Sequence, residues 1–428
     1  MTESVCRVEP WRLDGRVLAM AFTTSKGAFT ERIEFPIEIP RSASVDRIID
    51  LLAIVSSVSY AKASGPGSID AANRSLTPSA AEFVSSLFDD GMREFAHHNG
   101  FPLHGTFTLT GHSPCDPSVA PSITSRRQIL IPIGGGRDSA VVATALAGLQ
   151  PALMSVGDNP HSARIAERLG LPMHVVTRTI DPALIALNGR GAPNGHVPVT
   201  AINSLIALVL AEALGMGAVV MANEASSSAP TRIVEGTSIN HQFSKSLRCE
   251  TLLRDALADS GIDIEYFSAL RNRRDHEISR VFIRKCEPLH TAFMSCNRAM
   301  VRDPERRSDG WCGTCPKCRS VFLSLAPWST PPHMTRIFGS DLLDDPRQTA
   351  GFAELLDAGE KPFECVGDVL EARRAMAALA GDPSWASHAV VTDVSVAPQD
   401  TPGPVESRLD QTHHMPTDVD VVMRAFFS

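Results

Sequence analysis

The chain has 428 residues, of which 43% are hydrophobic and 21% charged, as is typical of a globular protein with two or three domains. Its formal net charge of -8 argues against a nucleic-acid-binding protein, which is usually basic over its contact surface. Nine cysteines in a chain of this length do not indicate the dense disulfide framework of a small secreted domain.

The N-terminal sequence lacks a basic segment followed by an apolar run, so we predict no signal peptide and expect a cytoplasmic protein. Residues 201–222 are apolar enough to raise the question of a membrane span. Asn203, Ser204 and Glu212 interrupt this segment, which favours a buried helix followed by a buried strand. We therefore expect neither a membrane nor a nucleic-acid partner, and the oligomeric state stays open.

Changes in sequence pattern divide the chain into four regions. Residues 1–120 combine short strand-like segments with amphipathic helical patterns, which predicts an N-terminal α+β domain. Strand and helix signals alternate over residues 126–328, which predicts an α/β domain whose parallel sheet has helices on both faces. Residues 329–390 predict a small helical region. Residues 391–428 predict a disordered tail, although 419–427 could dock.

The middle region supplies the most regular pattern. Strands are predicted at 128–133, 152–157, 173–178 and 217–222, and helices at 138–149, 161–169 and 200–214. Ligands of such sheets bind beyond the carboxyl ends of the strands. This rule brings residues 134–136, 157–159 and 223–224 to one edge of the sheet.

The segment 127–139 runs from a β-prone stretch into three glycines and then into a helical pattern. Glycines let the backbone approach a bulky anion, and the following helix N-terminus adds positive potential. Asp138 and Ser139 would cap that helix, with the serine hydroxyl free to donate to a phosphate. No lysine follows the glycines, so this is not the GxxxxGK[ST] loop of kinases and GTPases. A glycine turn without a ligand is the alternative.

Four cysteines form the pattern Cys296-x15-Cys312-x2-Cys315-x2-Cys318. Four thiolates suit a tetrahedral Zn²⁺ ion, and we interpret the site as structural. An iron–sulfur cluster stays an alternative, because CxxCxxC also occurs in those sites. Zinc is favoured because four cysteines leave no open position and nothing else in the sequence indicates redox chemistry.

Polar and ionisable residues also crowd three other segments. His196 precedes a predicted helix in NGHVPVTAINS, residues 194–204, and ANEAS and NHQFSKS follow the last predicted strand at 222–226 and 240–246. Burying such groups costs free energy unless they are paired or used in function. The basic run at 271–285 indicates either a solvated helix face or a site for a multiply charged phosphate ligand.

Taken together, these motifs resemble known families. GGGRDS at 134–139 resembles the SGGxDS signature of the PP-loop ATP pyrophosphatases, with Gly134 where serine is usual. With NGHVPVTAINS, ANEAS, NHQFSKS, CGTCPKC and KPFECVG, it resembles the MurL family of UDP-N-acetylmuramoyl-L-alanyl-L-glutamate epimerases over about residues 128–370. The resemblance implies an α/β fold of the PP-loop ATP pyrophosphatase type, with a zinc knuckle of four cysteines.

The activity that the resemblance implies is inversion of the terminal L-glutamate of UDP-MurNAc-L-Ala-L-Glu in peptidoglycan precursor synthesis. ATP would be converted to AMP and diphosphate through an acyl adenylate, with Mg²⁺ bridging the phosphates. The implied nucleotide-binding residues are Gly134, Gly135, Gly136, Asp138, Ser139, Asp158 and Asn223, and Arg137 is expected to point away. The expected catalytic residues are His196, His241, Glu224 and Lys245, with Cys365 a more speculative candidate.

Three other functions fit parts of the pattern. A PP-loop amide ligase or nucleobase synthase would adenylate another carboxylate for attack by an amine. A tRNA-modifying PP-loop enzyme would bind RNA through the basic run, although thiolating enzymes of that kind need exposed catalytic cysteines. A non-catalytic nucleotide-binding remnant is suggested by Gly134 alone.

Overall fold

The computed structural model describes residues 4–118, 128–301, 307–357, 366–394 and 412–428. The described strands are β1 (Ser4–Val8), β2 (Arg12–Asp14), β3 (Val17–Thr24), β4 (Gly27–Glu34), β5 (Gly67–Asp70), β6 (Ser75–Leu76), β7 (Phe107–Thr110), β8 (Ser113–Pro114), β9 (Ile129–Pro132), β10 (Ala152–Val156), β11 (Met173–Thr179), β12 (Ala218–Met221), β13 (Arg232–Val234), β14 (Thr237–Ile239) and β15 (Glu265–Ser268). Cys365 and the tail segment 395–411 lie outside the described residues.

The helices of the same residues are α1 (Ala43–Ala61), α2 (Pro78–Asp89), α3 (Arg93–Asn99), α4 (Arg137–Ala145), α5 (Pro160–Leu169), α6 (Pro182–Gly189), α7 (Val199–Ala213), α8 (Leu247–Asp259), α9 (Asp275–Lys285), α10 (Pro316–Leu325), α11 (Pro331–Phe338), α12 (Thr349–Leu356), α13 (Val369–Ala380), α14 (Ala389–Asp393) and α15 (Thr417–Phe427). Across this described part of the chain, no helix combines the length and the apolar character needed to cross a membrane.

One large mixed sheet organises the protein. Within the described residues it has eleven strands in the order β15-β12-β9-β10-β11-β4-β3-β1-β5-β7, with β2 paired to β3. The strands from β15 to β11 are parallel to their neighbours, which confirms the prediction of a parallel-rich α/β sheet. Strand β11 then pairs antiparallel with β4, so the N-terminal strands extend the same sheet.

Alternating side chains of the central strand face two separate cores, which places helices on both faces of the sheet. Leu130 packs in the core that contains α1 and α7, whereas Ile129 and Ile131 pack in the core that contains α4, α9 and α10. Helix α7 is buried along most of its length, as the apolar segment 201–222 predicts. The carboxyl ends of β9, β10, β12 and β15 consequently meet at one edge, between the two helical layers.

The C-terminal residues 412–428 include a helix packed against the rest of the protein. Helix α15 docks on α9: the carbonyl of Phe427 accepts a hydrogen bond from Arg280 at 2.9 Å, and that of Phe426 accepts one from Lys285 at 2.8 Å. The guanidinium of Arg273 lies 4.6 Å from the ring centroid of Phe427. Residues 419–427 thus dock, as the sequence analysis allowed, and part of the basic run serves to hold this helix.

A buried ion pair lies where the parallel and antiparallel parts of the sheet join. Arg178 on β11 donates to Glu31 on β4 with a 2.7 Å Nε–Oε1 distance, and Glu31 is fully buried. The Tyr60 hydroxyl donates to the other carboxylate oxygen of Glu31 at 3.0 Å. The buried negative charge of Glu31 on β4 is therefore neutralised by Arg178 of the neighbouring strand β11, so the two strands depend on each other.

Arg178→Met should lower the free energy of unfolding by about 3–5 kcal/mol, because it leaves the Glu31 carboxylate buried without a counter-charge. Urea unfolding measures the change. The control is Arg16→Ala, which removes the exposed Arg16–Glu34 pair at the end of β4 and should cost less than about 1 kcal/mol. Equal losses in the two variants would contradict the role of the buried pair.

Candidate active site

The glycine loop follows β9 and opens α4, as predicted. Gly135 has a φ of +78°, and a Cβ at this position would lie 2.8 Å from the Cβ of His161 on α5. Its carbonyl accepts a hydrogen bond from the amide of Met294 at 2.8 Å. Only glycine fits there without displacing a neighbouring element. At Gly134, by contrast, a Cβ would meet nothing within 4 Å, so the absence of the usual serine has no steric cause.

A cavity of about 400 Å³, which we call the phosphate-loop cavity, opens over this loop at the carboxyl edge of the sheet. The predicted residues that line it are Gly134, Gly136, Asp138, Ser139, Asn223 and Lys245. Asn159, which the sequence analysis placed at this edge of the sheet, also lines it, and sequence reasoning missed other lining residues, among them Thr200, Asn203, Ser295 and Lys317. The structure thus brings the glycine loop, the end of β12 and a lysine from residues 240–246 together around one space.

Asp158 and Asn159 follow β10 but have different surroundings. Asp158 is exposed and lies outside the wall of the phosphate-loop cavity. Asn159 donates from Nδ2 to the carbonyl of Gly134 at 2.9 Å, and its Oδ1 accepts from the amide of His161 at 2.9 Å. The side chain that links this edge to the glycine loop is therefore that of Asn159, which also caps α5.

Arg137 does not point away from the site, so that prediction was wrong. Its guanidinium is buried and forms ion pairs with Asp138, at 2.7 Å, and with Asp275 at the start of α9. It also donates to the hydroxyls of Ser279 and Ser324 at 2.7 and 2.9 Å. Arg137 therefore fixes the Asp138 carboxylate at the cavity and ties the loop to α9 and α10.

Two lysines bring positive charge to the phosphate-loop cavity. Lys245 comes from the segment after β14, and Lys317 lies between two cysteines of the CGTCPKC motif at the start of α10. Burial alone would raise the pKa of Asp275, but Arg137 and Lys317 together hold it below its ordinary value. A polyphosphate in this cavity would meet both lysines, which suits charge-assisted binding.

The four predicted metal ligands lie together. The thiol sulfurs of Cys296, Cys312, Cys315 and Cys318 are all within 4.8 Å of one another. Two sulfur–sulfur distances are 3.4 Å and 3.8 Å, for Cys315–Cys318 and Cys312–Cys318. Tetrahedral zinc with Zn–S bonds of about 2.3 Å requires sulfur separations of about 3.8 Å, so the cluster fits such an ion. Ser295, next to Cys296, and Lys317, next to Cys318, both line the phosphate-loop cavity, so the cluster adjoins it.

His196 and His241 form a pair beside Lys245, with ring centroids 4.4 Å apart. Burial, reinforced by the positive charges of His241, Lys245 and Lys62, lowers the pKa of His196 to about 3. His196 is therefore neutral at physiological pH. His241 contacts the carboxylate of Glu94 through Nδ1, and Glu94 itself is buried.

Glu94 was not among the predicted residues, and it completes a cluster that could hold a metal ion. The ligand atoms of Glu94, His196 and His241 lie within 4.8 Å of one another. Two ammonium groups, those of Lys62 and Lys245, are close enough to act on His196. Because nearby cations repel a divalent ion, this arrangement suits proton transfer better than metal binding.

Glu224 follows Asn223 of the cavity wall, close enough to Asp138 and Asp275 to be affected by their charges. Its carboxylate accepts hydrogen bonds from the amide and the hydroxyl of Ser226. Burial, together with the negative charges of Asp275 and Asp138, raises the pKa of Glu224 to about 7. The group is thus balanced between its neutral and charged forms near neutral pH, as is common for functional acids.

Glu224→Gln should become progressively more stable than wild type as the pH rises. The pKa of Glu224 is raised from 4.5 to about 7, so between these values the folded protein keeps a proton that the unfolded chain has lost, and wild-type stability falls through this window. The variant lacks this loss. Its free energy of unfolding, relative to that of wild type, should therefore rise by about 2–3 kcal/mol between pH 4.5 and about pH 8.

Urea unfolding at the two pH values measures this difference, and the contribution of His196 cancels because both proteins contain it. Glu82→Gln, a change at an exposed position of α2, serves as the control and should show no such trend. A difference between Glu224→Gln and wild type that does not vary with pH would refute the raised pKa.

Comparison with known proteins supports the motif-based resemblance. A family model described as the MurL N-terminal domain matches residues 7–269, and one described as the MurL C-terminal domain matches residues 292–408. Together they cover the glycine loop, the histidine pair and the cysteine cluster.

Curated relatives include proteins named UDP-N-acetyl-alpha-D-muramoyl-L-alanyl-L-glutamate epimerase. That of Salinispora tropica is 41% identical over 376 residues, which cover 85% of this chain and 81% of the relative. That of a Micromonospora species is 42% identical over 85% of this chain and 82% of the relative. That of Xanthomonas oryzae pv. oryzae is 38% identical over 82% and 78%. The chain belongs to the MurL family.

Proposed function

We propose that this protein is an ATP-dependent epimerase that inverts the terminal L-glutamate of UDP-MurNAc-L-Ala-L-Glu during peptidoglycan precursor synthesis. The names of its relatives support the choice of substrate and reaction. The observation that carries the proposal is the position of Lys245, which lines the phosphate-loop cavity and also acts electrostatically on His196. A site for ATP cleavage would then adjoin a site for proton transfer.

The fold of the nucleotide site supports assignment to the PP-loop ATP pyrophosphatases. The loop follows a central parallel strand, its glycines permit close approach of an anion, and α4 begins directly behind them. Asp138 offers a carboxylate oxygen that suits Mg²⁺, which the phosphates would share. Lys245 and Lys317 would neutralise the charge that develops on the departing diphosphate.

Adenylation solves the chemical difficulty of the epimerisation. A carboxylate is a poor activator of its own Cα–H bond, because the carbanion would form beside an existing negative charge. Attack of one carboxylate oxygen on the α-phosphorus of ATP expels diphosphate and yields an acyl adenylate. Its carbonyl can accept the electron pair of the Cα–H bond as an enolate, the proton is returned on the opposite face, and water releases AMP.

The proton-transfer groups follow from the geometry of the histidine pair. Rings with centroids 4.4 Å apart leave no room for a substrate carbon between them, because each contact needs about 3.5 Å. We therefore assign the pair to one face of the glutamyl carbon, as the groups that take up its proton, with Glu94 as the support of His241. Lys245 is the candidate for proton return on the other face.

We further propose that the four clustered cysteines bind a structural Zn²⁺ ion. Their number, their mutual distances and the lack of any open ligand position support zinc over a redox cluster. The ion would hold Ser295 and Lys317 against the glycine loop, since each is next to a cysteine of the cluster.

The proposed reaction is tested by incubating the protein with ATP, Mg²⁺ and UDP-MurNAc-L-Ala-L-Glu in deuterium oxide. D-glutamate that carries deuterium at Cα, formed together with AMP and diphosphate, is the expected result. Asp138→Ala should fold and yet release no diphosphate, because it lacks the carboxylate at the cavity. Diphosphate release without inversion would replace the epimerase by an amide ligase, and an unaltered substrate with no AMP would end the proposal.

Cys312→Ser should lower the zinc-to-protein ratio from about one to near zero, reduce the melting temperature and raise the KM for ATP. The KM for ATP should rise because Ser295 and Lys317 line the cavity and are each next to a cysteine of the cluster. Atomic absorption and thermal melting provide the measurements. The control is Cys6→Ser in the buried face of β1, which should lose stability with an unchanged metal content. Full zinc content in Cys312→Ser would refute the site.

A further inference from the structure

A second cavity, of about 750 Å³, is lined by residues adjacent in the chain to some that line the phosphate-loop cavity, and we call it the arginine cavity. The two share their partition: Asn223 and Lys245 line the first, and Ala225 and Ser246 line the second. The partition also carries His241, which is next to Asn240 of the second cavity. A long molecule could therefore have one end in each cavity and its middle beside the histidine pair.

Positive charge dominates the wall of the arginine cavity. The lining residues include Arg93, Arg248, Arg271 and Arg274, against a single lining carboxylate, that of Asp90. Asp90 pairs with Arg93 at 2.6 Å and with Arg248 at 3.3 Å. Arg93 also pairs with Asp89 at 2.6 Å, so the positive excess that favours an anionic ligand comes mainly from Arg248 and Arg274.

The hydrogen-bonding pattern of the wall points to the same class of ligand. The Nε atoms of Arg93 and Arg274 are buried and have no hydrogen-bond partner among the described residues. Arg271 differs, because it is paired with Glu250 at 2.7 Å and both side chains are buried. An unpaired buried donor costs free energy until a ligand supplies an acceptor. Arg274, at the N-cap of α9, is thus prepared for a bound anion.

A third cavity of the described residues, of about 460 Å³, offers the opposite charge. It is lined by Asp259, Asp263 and Glu265, with Arg254 as the lining arginine. Three carboxylates against one guanidinium group would repel a diphosphate. Charge therefore distinguishes the two cavities as sites for an anionic ligand, and the arginine cavity is the favoured one.

We infer that the arginine cavity binds the nucleoside-diphosphate end of the substrate, an inference that rests on the proposed function. Its volume lies within the range of about 300–1,000 Å³ usual for small-molecule sites. Phe243 and Leu252 provide an apolar wall against which a base can pack, and Arg274 and Arg248 face the diphosphate. The peptide end then passes the shared partition toward Lys245 and the phosphate-loop cavity.

Calorimetric titration of the full chain with UDP, and separately with ATP, tests the inference. Arg274→Met keeps the apolar stem of the side chain and should weaken UDP binding about tenfold or more, the effect of losing a charge-assisted hydrogen bond. ATP affinity should stay within about twofold of wild type, since Arg274 does not line the phosphate-loop cavity. Arg248→Met, on the exposed rim, is a second variant that does not depend on a buried position.

The matched control is Arg254→Met in the acidic cavity, which should bind UDP as wild type does. Wild-type UDP affinity in both Arg274→Met and Arg248→Met would overturn the inference, as would loss of binding in Arg254→Met alone or no UDP binding by wild type. These results are independent of the deuterium assay. If glutamate is inverted but UDP affinity does not depend on Arg274 and Arg248, the inference fails and the proposed reaction stands. If UDP affinity depends on these arginines but glutamate is not inverted, the proposed reaction fails and the UDP site stands.

Discussion

One buried guanidinium, that of Arg137, sets the arrangement of the residues around the phosphate-loop cavity. It is shared by two carboxylates, Asp138 in the glycine loop and Asp275 on α9, and it reaches a serine hydroxyl on α10. A buried charge is tolerated only where its partners are in place, so these three segments have one mutual geometry. Because α10 begins within the cysteine motif, the same ion pair also determines where Lys317 meets the glycine loop.

The partition between the two cavities is the second feature on which the arrangement of the site depends. Residues 223–228 and 240–246 contribute side chains to both spaces and to the histidine pair. Arg271, paired with Glu250, donates to the carbonyl of Lys245 at 2.8 Å and so fixes the backbone of this wall. In the proposed reaction, this wall would separate the space for ATP cleavage from the space for the rest of the substrate, with Lys245 at their junction, and such preorganisation is what electrostatic catalysis requires.

Local features of the fold and site were predictable because their signals are local. The strand predicted at 152–157 is Ala152–Val156, and the helix predicted at 161–169 is Pro160–Leu169, which starts at an Asn-Pro cap. The cysteine cluster follows from spacing alone. Glu94 had no such signal, since it lies 147 residues from His241, and the direction of Arg137 depends on α9 and α10. Contacts of that kind arise from tertiary packing, which a single sequence does not display.

The pairing of β4 with β11 has a consequence for how the protein can be divided. A fragment cut near residue 120 would expose an unpaired strand on each piece, and bare strand edges associate readily with other chains. The N-terminal piece would also take away Glu94 and Lys62, so the remainder would keep its nucleotide loop but lose two neighbours of the histidines. The surroundings of the histidine pair are therefore built from both ends of the sheet, and a cut near residue 120 would divide them.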